Sequence, residues 1–233
     1  MPDSSSSSLS RDTTPLNGGD APGATVLVNQ IILKAVMISC RGRDGVRRET
    51  LRQLAGTDWG EEVHVQMDVS TKQRWQERQE ETALAAVRHA AGNGADYTLF
   101  LEDDVECNRH LRRNLEAWWP LQSRKLHFAS LYNPNIRELR SDATRNYFEA
   151  DPEAVYGSQA VVISREAAAY FTVHWWEIEG MGDIKMPRLA ARMGRPLFYH
   201  TPSLVQHVGR QSVWGGGFHQ AEDYQAEWKA AAG

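Results

Sequence analysis

Apolar residues in this chain fall into two alternating kinds of run. Ile31 to Cys40 (IILKAVMISC) is almost continuously apolar, the pattern of a strand buried on both sides. The basic, Gly-containing RGRDG then leads into VRRETLRQLAG, whose helical spacing ends at Gly56. Glu62 to Val69 alternates Val63, Val65 and Met67 as a second strand, and Thr71 to Ala91 follows as a helix with Leu84, Val87 and Ala90 on one face and Gly92 and Gly94 as its stop. In Ala95 to Cys107 (ADYTLFLEDDVEC), Tyr97, Leu99 and Leu101 alternate with Thr98 and Phe100, so both faces of this strand are predicted to be covered. A helix from about Arg109 to Trp119, closed by Pro120, comes next.

The second half is less regular. Lys125 to Leu131 reads as a strand, Tyr132 to Asp151 as a long polar connection, and Ala154 to Ser164 as a strand, interrupted at Gly157, that runs into the helix REAAAYFTVHWW. Trp175 and Trp176 read as core or interface residues rather than sugar-stacking platforms. Gly180 to Met193 is a loop entering a helix with Asp183 near its start, and Arg195 to His200 is a short strand followed by TPSLVQHVGRQS. The βαβαβα alternation predicts an α/β domain with a mostly parallel central sheet flanked by helices. Residues 25–212 are assigned to one such domain, 1–24 to a disordered low-complexity polar tail, and 213–233 to a flexible segment whose three adjacent glycines and Trp214 suit a lid.

A formal net charge of −4 gives no global attraction to nucleic acid or to an anionic membrane. The most apolar early stretch, Ala24 to Cys40, is broken by Asn29, Gln30 and Lys34, which leaves no transmembrane candidate. Two cysteines, Cys40 and Cys107, without CxxC spacing fit a reducing, cytoplasmic location.

The chemistry concentrates where the buried strand runs into Glu102, Asp103 and Asp104. Adjacent carboxylates repel, so they stay ionised only where water, a basic partner or a cation such as Mg2+ or Mn2+ compensates them. At the carboxyl end of a strand in an open α/β sheet, three acids suggest a metal and phosphate site. Taken alone, the triplet also fits a solvated strand exit. Arg41, Arg43, Arg47 and Arg48 crowd the first strand-to-helix junction, where backbone N–H groups favour a phosphate, although a single arginine there reads equally as an exposed helix start.

The segments YTLFLEDDVE, GSQAVVISREAA, GMGDIKMPRLAARMG and PSLVQHVG, in this order, resemble the GT-A fold glycosyltransferases over about residues 31 to 212. LEDDV followed by VVISREAA is similar to the lipooligosaccharide-type transferases, and EDD followed by PSLVQHVG to the N-acetylglucosaminyltransferases that branch N-glycans. The resemblance implies a single GT-A (Rossmann-like) domain and Mn2+ or Mg2+ bound by Asp104 and His207. It places Glu102 or Asp103 on the donor ribose or the metal's waters, and Arg41, Arg43 and Arg78 on the donor. Thr82 departs from the asparagine common on that helix.

The resemblance also makes Asp183 the general base of an inverting transferase, with Glu179 in reserve, although the position of Asp183 fits a helix cap as well. The implied donor is a UDP-sugar. The acceptor stays open between a glycan, a small molecule, a protein and a modified nucleic-acid base. The alternatives are a retaining transferase, a metal-dependent phosphotransferase or hydrolase without a P-loop, and an inactive nucleotide-sugar-binding protein.

Overall fold

The computed structural model describes residues 30–134, 145–153, 155, 157–209 and 219–231, and the chain from Ile31 onward forms one compact unit. The tail read at 1–24 lies outside the described residues, as does the proposed lid at 213–217 with Trp214. Strands β1 (Leu33–Ser39), β2 (Val63–Met67), β3 (Tyr97–Glu102), β5 (Phe128–Ser130), β6 (Tyr147–Ala150), β7 (Ala160–Ser164) and β8 (Leu197–His200) form one sheet in the order β2-β1-β3-β7-β5-β8-β6. A second, two-stranded sheet pairs β4 (Val105–Cys107) with β9 (Val205–His207). The described helices are α1 (Asp44–Ala55), α2 (Trp75–Gly92), α3 (Leu111–Glu116), α4 (Trp119–Gln122), α5 (Arg165–His174) and α6 (Gly182–Arg192). None is long and apolar enough to cross a membrane.

Both faces of the sheet are covered, as the β3 pattern requires. Leu99 and Leu101 pack with Leu54 of α1, Leu111 and Leu115 of α3 and Leu121 of α4. Phe100 faces the other way, onto Ala83 and Val87 of α2, Phe171 of α5 and Leu189 of α6. Trp175 is buried in the core, whereas Trp176 is 62% exposed, so the core part of that reading holds for the first.

Five of the seven strands run in one direction, while β7 and β6 are reversed. The reversal of β7 matters for function. It fills the space between the parallel strands β3 and β5 from the opposite direction, so its entry loop, rather than its exit, arrives at the carboxyl end of β3. There Glu102 N–H donates to the Gln159 carbonyl at 3.0 Å.

Two readings are corrected. The connection from Tyr132 to Asp151 contains β6, a four-residue edge strand whose single buried apolar residue, Phe148, is too weak a pattern to stand out in a polar stretch. Pro120 closes no helix: α3 ends at Glu116, and Pro120 sits in the first turn of α4, where its missing N–H costs nothing.

Residues 219–231, read as part of a flexible segment, are tied down. The buried Asn108 side chain donates to the carbonyls of Gln225 (2.7 Å) and Trp228 (2.9 Å), Asn114 donates to Trp228 (3.0 Å), and Ala230 N–H donates back to Asn114 Oδ1 at 2.9 Å. Two buried amides thus satisfy a strand-free segment that has no ladder to pair with.

Candidate functional site

The three acids at the end of β3 do not act as one group. Asp103 turns back into the protein: Ser39 Oγ donates to its Oδ2 at 2.5 Å, Arg43 Nε to its Oδ1 at 2.7 Å, and Thr50 Oγ1 to its carbonyl at 2.7 Å. With both carboxylate oxygens engaged and 4% of its surface exposed, Asp103 joins β1 and α1 to the acidic turn. Glu102 and Asp104 turn the other way and meet His207, and ligand atoms of the three lie within 4.8 Å of one another. Pairing of β4 with β9 places Val105 opposite His207, and Val208 N–H donates to the Asp104 carbonyl at 2.9 Å, so the sheet register brings histidine to acid.

Two carboxylate oxygens and one imidazole nitrogen suit a divalent cation such as Mn2+ or Mg2+. The backbone leaves room for one: a Cβ on Gly209 would stand 2.1 Å from Asp104 Oδ2 and 3.0 Å from His207 Nε2, a space only glycine keeps open. The donor set and this cradle fit a metal held by Glu102, Asp104 and His207.

Electrostatics separate the two ligand acids. Burial alone would raise Asp104, but His207, with Nε2 3.6 Å away, and the Arg43 guanidinium, 2.6 Å from Oδ2, together hold its carboxyl below the ordinary range. Asp104 in turn raises His207. Glu102 keeps some accessible surface, yet it is so surrounded by protein that burial, reinforced by Asp104, pushes its carboxyl up to about 7; its one close partner is Ser158 Oγ, which donates at 2.7 Å.

Proton linkage follows from these shifts. Between 4.5 and about 7 the folded protein keeps on Glu102 a proton that the unfolded chain has lost, so this group's contribution to stability falls as pH rises through that window. Cation binding needs the Glu102 carboxylate and a neutral His207 imidazole, so Mn2+ affinity is expected to climb from pH 5.5 upward, by up to about tenfold per unit for each proton displaced, and to flatten once both groups have lost theirs. Calorimetry in buffers of different ionisation enthalpy should find protons released on Mn2+ binding at pH 6 and few at pH 8. Release of about one proton or fewer at pH 6 would leave His207 as its source and remove Glu102 from the ligand set.

Asp183 lies close enough for its charge to act on Glu102. Gly157, with φ +86°, donates its N–H to Asp183 Oδ2 at 3.3 Å, and Oδ1 is buried with no hydrogen-bond partner among the described residues. Burial raises its carboxyl, with the N–H groups of Gly157 and Ile184 opposing. The N-cap of α6 is Met181 rather than Asp183, which removes the cap reading. The start of α6 is held rigidly on α2: Gly182 N–H donates to Gln79 Oε1 at 3.0 Å, and a Cβ on Gly182 would lie 2.8 Å from the Ala83 Cβ. Lys185, 2% exposed, reaches Glu80 at 3.2 Å and the Ile178 carbonyl at 2.5 Å.

No family model matches the chain, and no curated protein matches it. Among solved structures, one described as the crystal structure of A197 from STIV aligns with TM-score 0.46 at 14% identity, covering 76% of this chain and 85% of that one. A likeness of that extent assigns no activity.

The remaining expected residues divide. Arg41 is exposed in the turn after β1 with no ion pair among the described residues, whereas Arg43 is committed to Asp103 and Asp104. Arg78 donates through Nε (2.9 Å) and Nη2 (2.5 Å) to Asp68 Oδ2, a buried acid just past β2 that sequence reasoning passed over. Its signal was present, since QMDV ends the second strand in an acid at the same sheet edge. Thr82 is buried and bonds the Arg78 carbonyl one turn back at 2.8 Å, so it faces no site. Glu179 is exposed before α6. His219 was also missed. Its carbonyl lies 3.3 Å from His207 Nδ1, and its own Nδ1 lies 2.6 Å from the Tyr132 hydroxyl.

Proposed function

We propose that this protein is a metal-dependent glycosyltransferase of GT-A type that moves a hexosyl or N-acetylhexosaminyl group from a UDP-sugar to an acceptor hydroxyl with inversion. The observation that carries this reading is the pairing of a cation-binding triad with a separate carboxylate. Glu102, Asp104 and His207 converge at the carboxyl end of β3, and nearby Asp183 keeps one buried oxygen without a hydrogen-bond partner among the described residues. A buried acid beside a cation site suits deprotonation of an acceptor hydroxyl, the step that sugar transfer requires.

A bound Mn2+ or Mg2+ supplies positive charge against the diphosphate leaving group. The chain's own groups do the rest. Asp183 accepts the proton of the acceptor hydroxyl as its oxygen attacks the anomeric carbon and the bond to the diphosphate breaks. Burial raises the proton affinity of Asp183, which suits it to that role. The Gly157 N–H fixes the other carboxylate oxygen, so Asp183 presents one edge. Arg41, exposed and without an ion pair among the described residues, is a cation for the donor phosphates, Arg43 holds the acidic turn in shape, and the Asp68–Arg78 pair lies on the nucleoside side of the same sheet edge.

Titration with UDP-sugars with and without Mn2+, followed by thermal shift and by UDP release, tests the proposal. Donor should stabilise the protein only with the cation, by about 2.7 kcal/mol at a hundred times its Kd. No stabilisation by any UDP-sugar in the presence of Mn2+ would sink it.

A further inference from the structure

Away from the triad, an open cleft of about 750 Å3 is lined by Trp119, Arg145, Asn146, Tyr147 and Trp228 together with small alanines. The volume lies within the usual range for small-ligand sites. Trp119 and Tyr147 stack at 5.3 Å between centroids and 14° between planes, with Lys125 Nζ 5.7 Å from the Trp119 ring and the Arg145 guanidinium 5.8 Å from the Tyr147 ring. No carboxylate lines the cleft among the described residues, although acids outnumber bases in the chain as a whole. Trp119 nevertheless stays 47% exposed.

Position makes the cleft more than a surface feature. Tyr147 pairs with His200 at the end of β8, one step beyond the row Phe148, Tyr199, Ser130, Val161 and Phe100, so it lies at the same end of the sheet as Glu102. Four strand spacings put the two about 19 Å apart along that edge. The pinned segment 219–231 links them, beginning with the His219 carbonyl beside His207 and ending with Trp228 and Ala230 in the cleft wall.

We propose that the cleft is a second binding site, for an anionic oligosaccharide. Rigid aromatic rings offer apolar surface to the C–H faces of sugar rings, Asn146 offers a side-chain amide to hydroxyls, and the two cations meet a carboxylate or phosphate. Lys125, exposed on a flexible stem, can yield the Trp119 face while keeping its charge close by. A single-stranded nucleic acid would need a longer basic track than these two cations provide. As an anchor for an extended acceptor, the site rests on the transferase reading; as a binding site it does not.

The test titrates the full-length protein, without Mn2+ or donor, with tetragalacturonate, maltotetraose and pentathymidylate, by calorimetry and tryptophan fluorescence. The acidic tetrasaccharide should bind about tenfold or more tighter than the neutral one. Trp119→Ala and the pair Lys125→Ala/Arg145→Gln should each weaken it about tenfold, with Trp119→Phe retaining most of the affinity and melting unchanged. Equal affinity for the two sugars, no saturable binding of the acidic one, insensitivity to these variants, or tighter binding of pentathymidylate would each overturn the proposal. Mn2+-dependent UDP-sugar binding, measured on the same wild-type and Trp119→Ala proteins, separates the two failures. A missing donor response with intact sugar binding removes the transferase reading alone, and the reverse removes the cleft alone.

Discussion

Asp104→Asn is expected to lower Mn2+ affinity by about a hundredfold or more, beyond the 10- to 100-fold that loss of a ligand's partner costs, and to eliminate cation-dependent donor binding. The substitution removes one of only two carboxylates in the triad, and the remaining acid, Glu102, is the one that burial keeps partly protonated near neutrality. Stability should change much less. Asp104 is buried, but Arg43 keeps its bond to Asp103, and the asparagine oxygen can still accept from it. A loss of about 1.5–3 kcal/mol is the scale for one hydrogen bond to a charged group. Calorimetric titration with Mn2+ and a urea melt on the same sample check both halves, and wild-type Mn2+ affinity in a folded variant would remove Asp104 from the centre.

Asp183→Asn separates chemistry from architecture. Loss of a general base should reduce kcat by about a hundredfold or more while donor affinity stays near wild type, because the base acts only as the acceptor proton moves. The stability change has a diagnostic sign. Burial disfavours the charged form of Asp183 in the fold, so a neutral amide at pH 7 should leave melting unchanged or raise it, with the Gly157 N–H still served by the amide oxygen. Single-turnover rates beside thermal melts provide the test. Intact turnover together with a lowered melting temperature would make Asp183 a structural residue.

Local pattern carried much of this molecule. The doubly apolar run at Tyr97 to Leu101 announced a strand covered on both faces, because burial periodicity is written residue by residue, and the acids directly after it marked the candidate site at its carboxyl end. The helical spacing of Leu84, Val87 and Ala90 likewise located the inner face of α2. Edge strand β6 escaped because four residues with one buried apolar side chain carry too little periodicity, and Arg43 looked available because a sequence shows a cation without its partners.

What the sequence by itself determined was therefore the set of strands and helices with strong periodicity and the edge at which the candidate site lies. Tertiary structure alone decided which acid does what. Asp103 is drawn inward by Ser39 and Arg43 from β1 and its exit, while Glu102 and Asp104 are left for His207. It also decided that β7 runs backwards, which delivers Ser158 to Glu102 and Gly157 to Asp183. These meetings join residues far apart in the chain. They depend on strand register and on the packing of α6 against α2, which are set by burial summed over the whole core and leave no signature in any one stretch of the sequence.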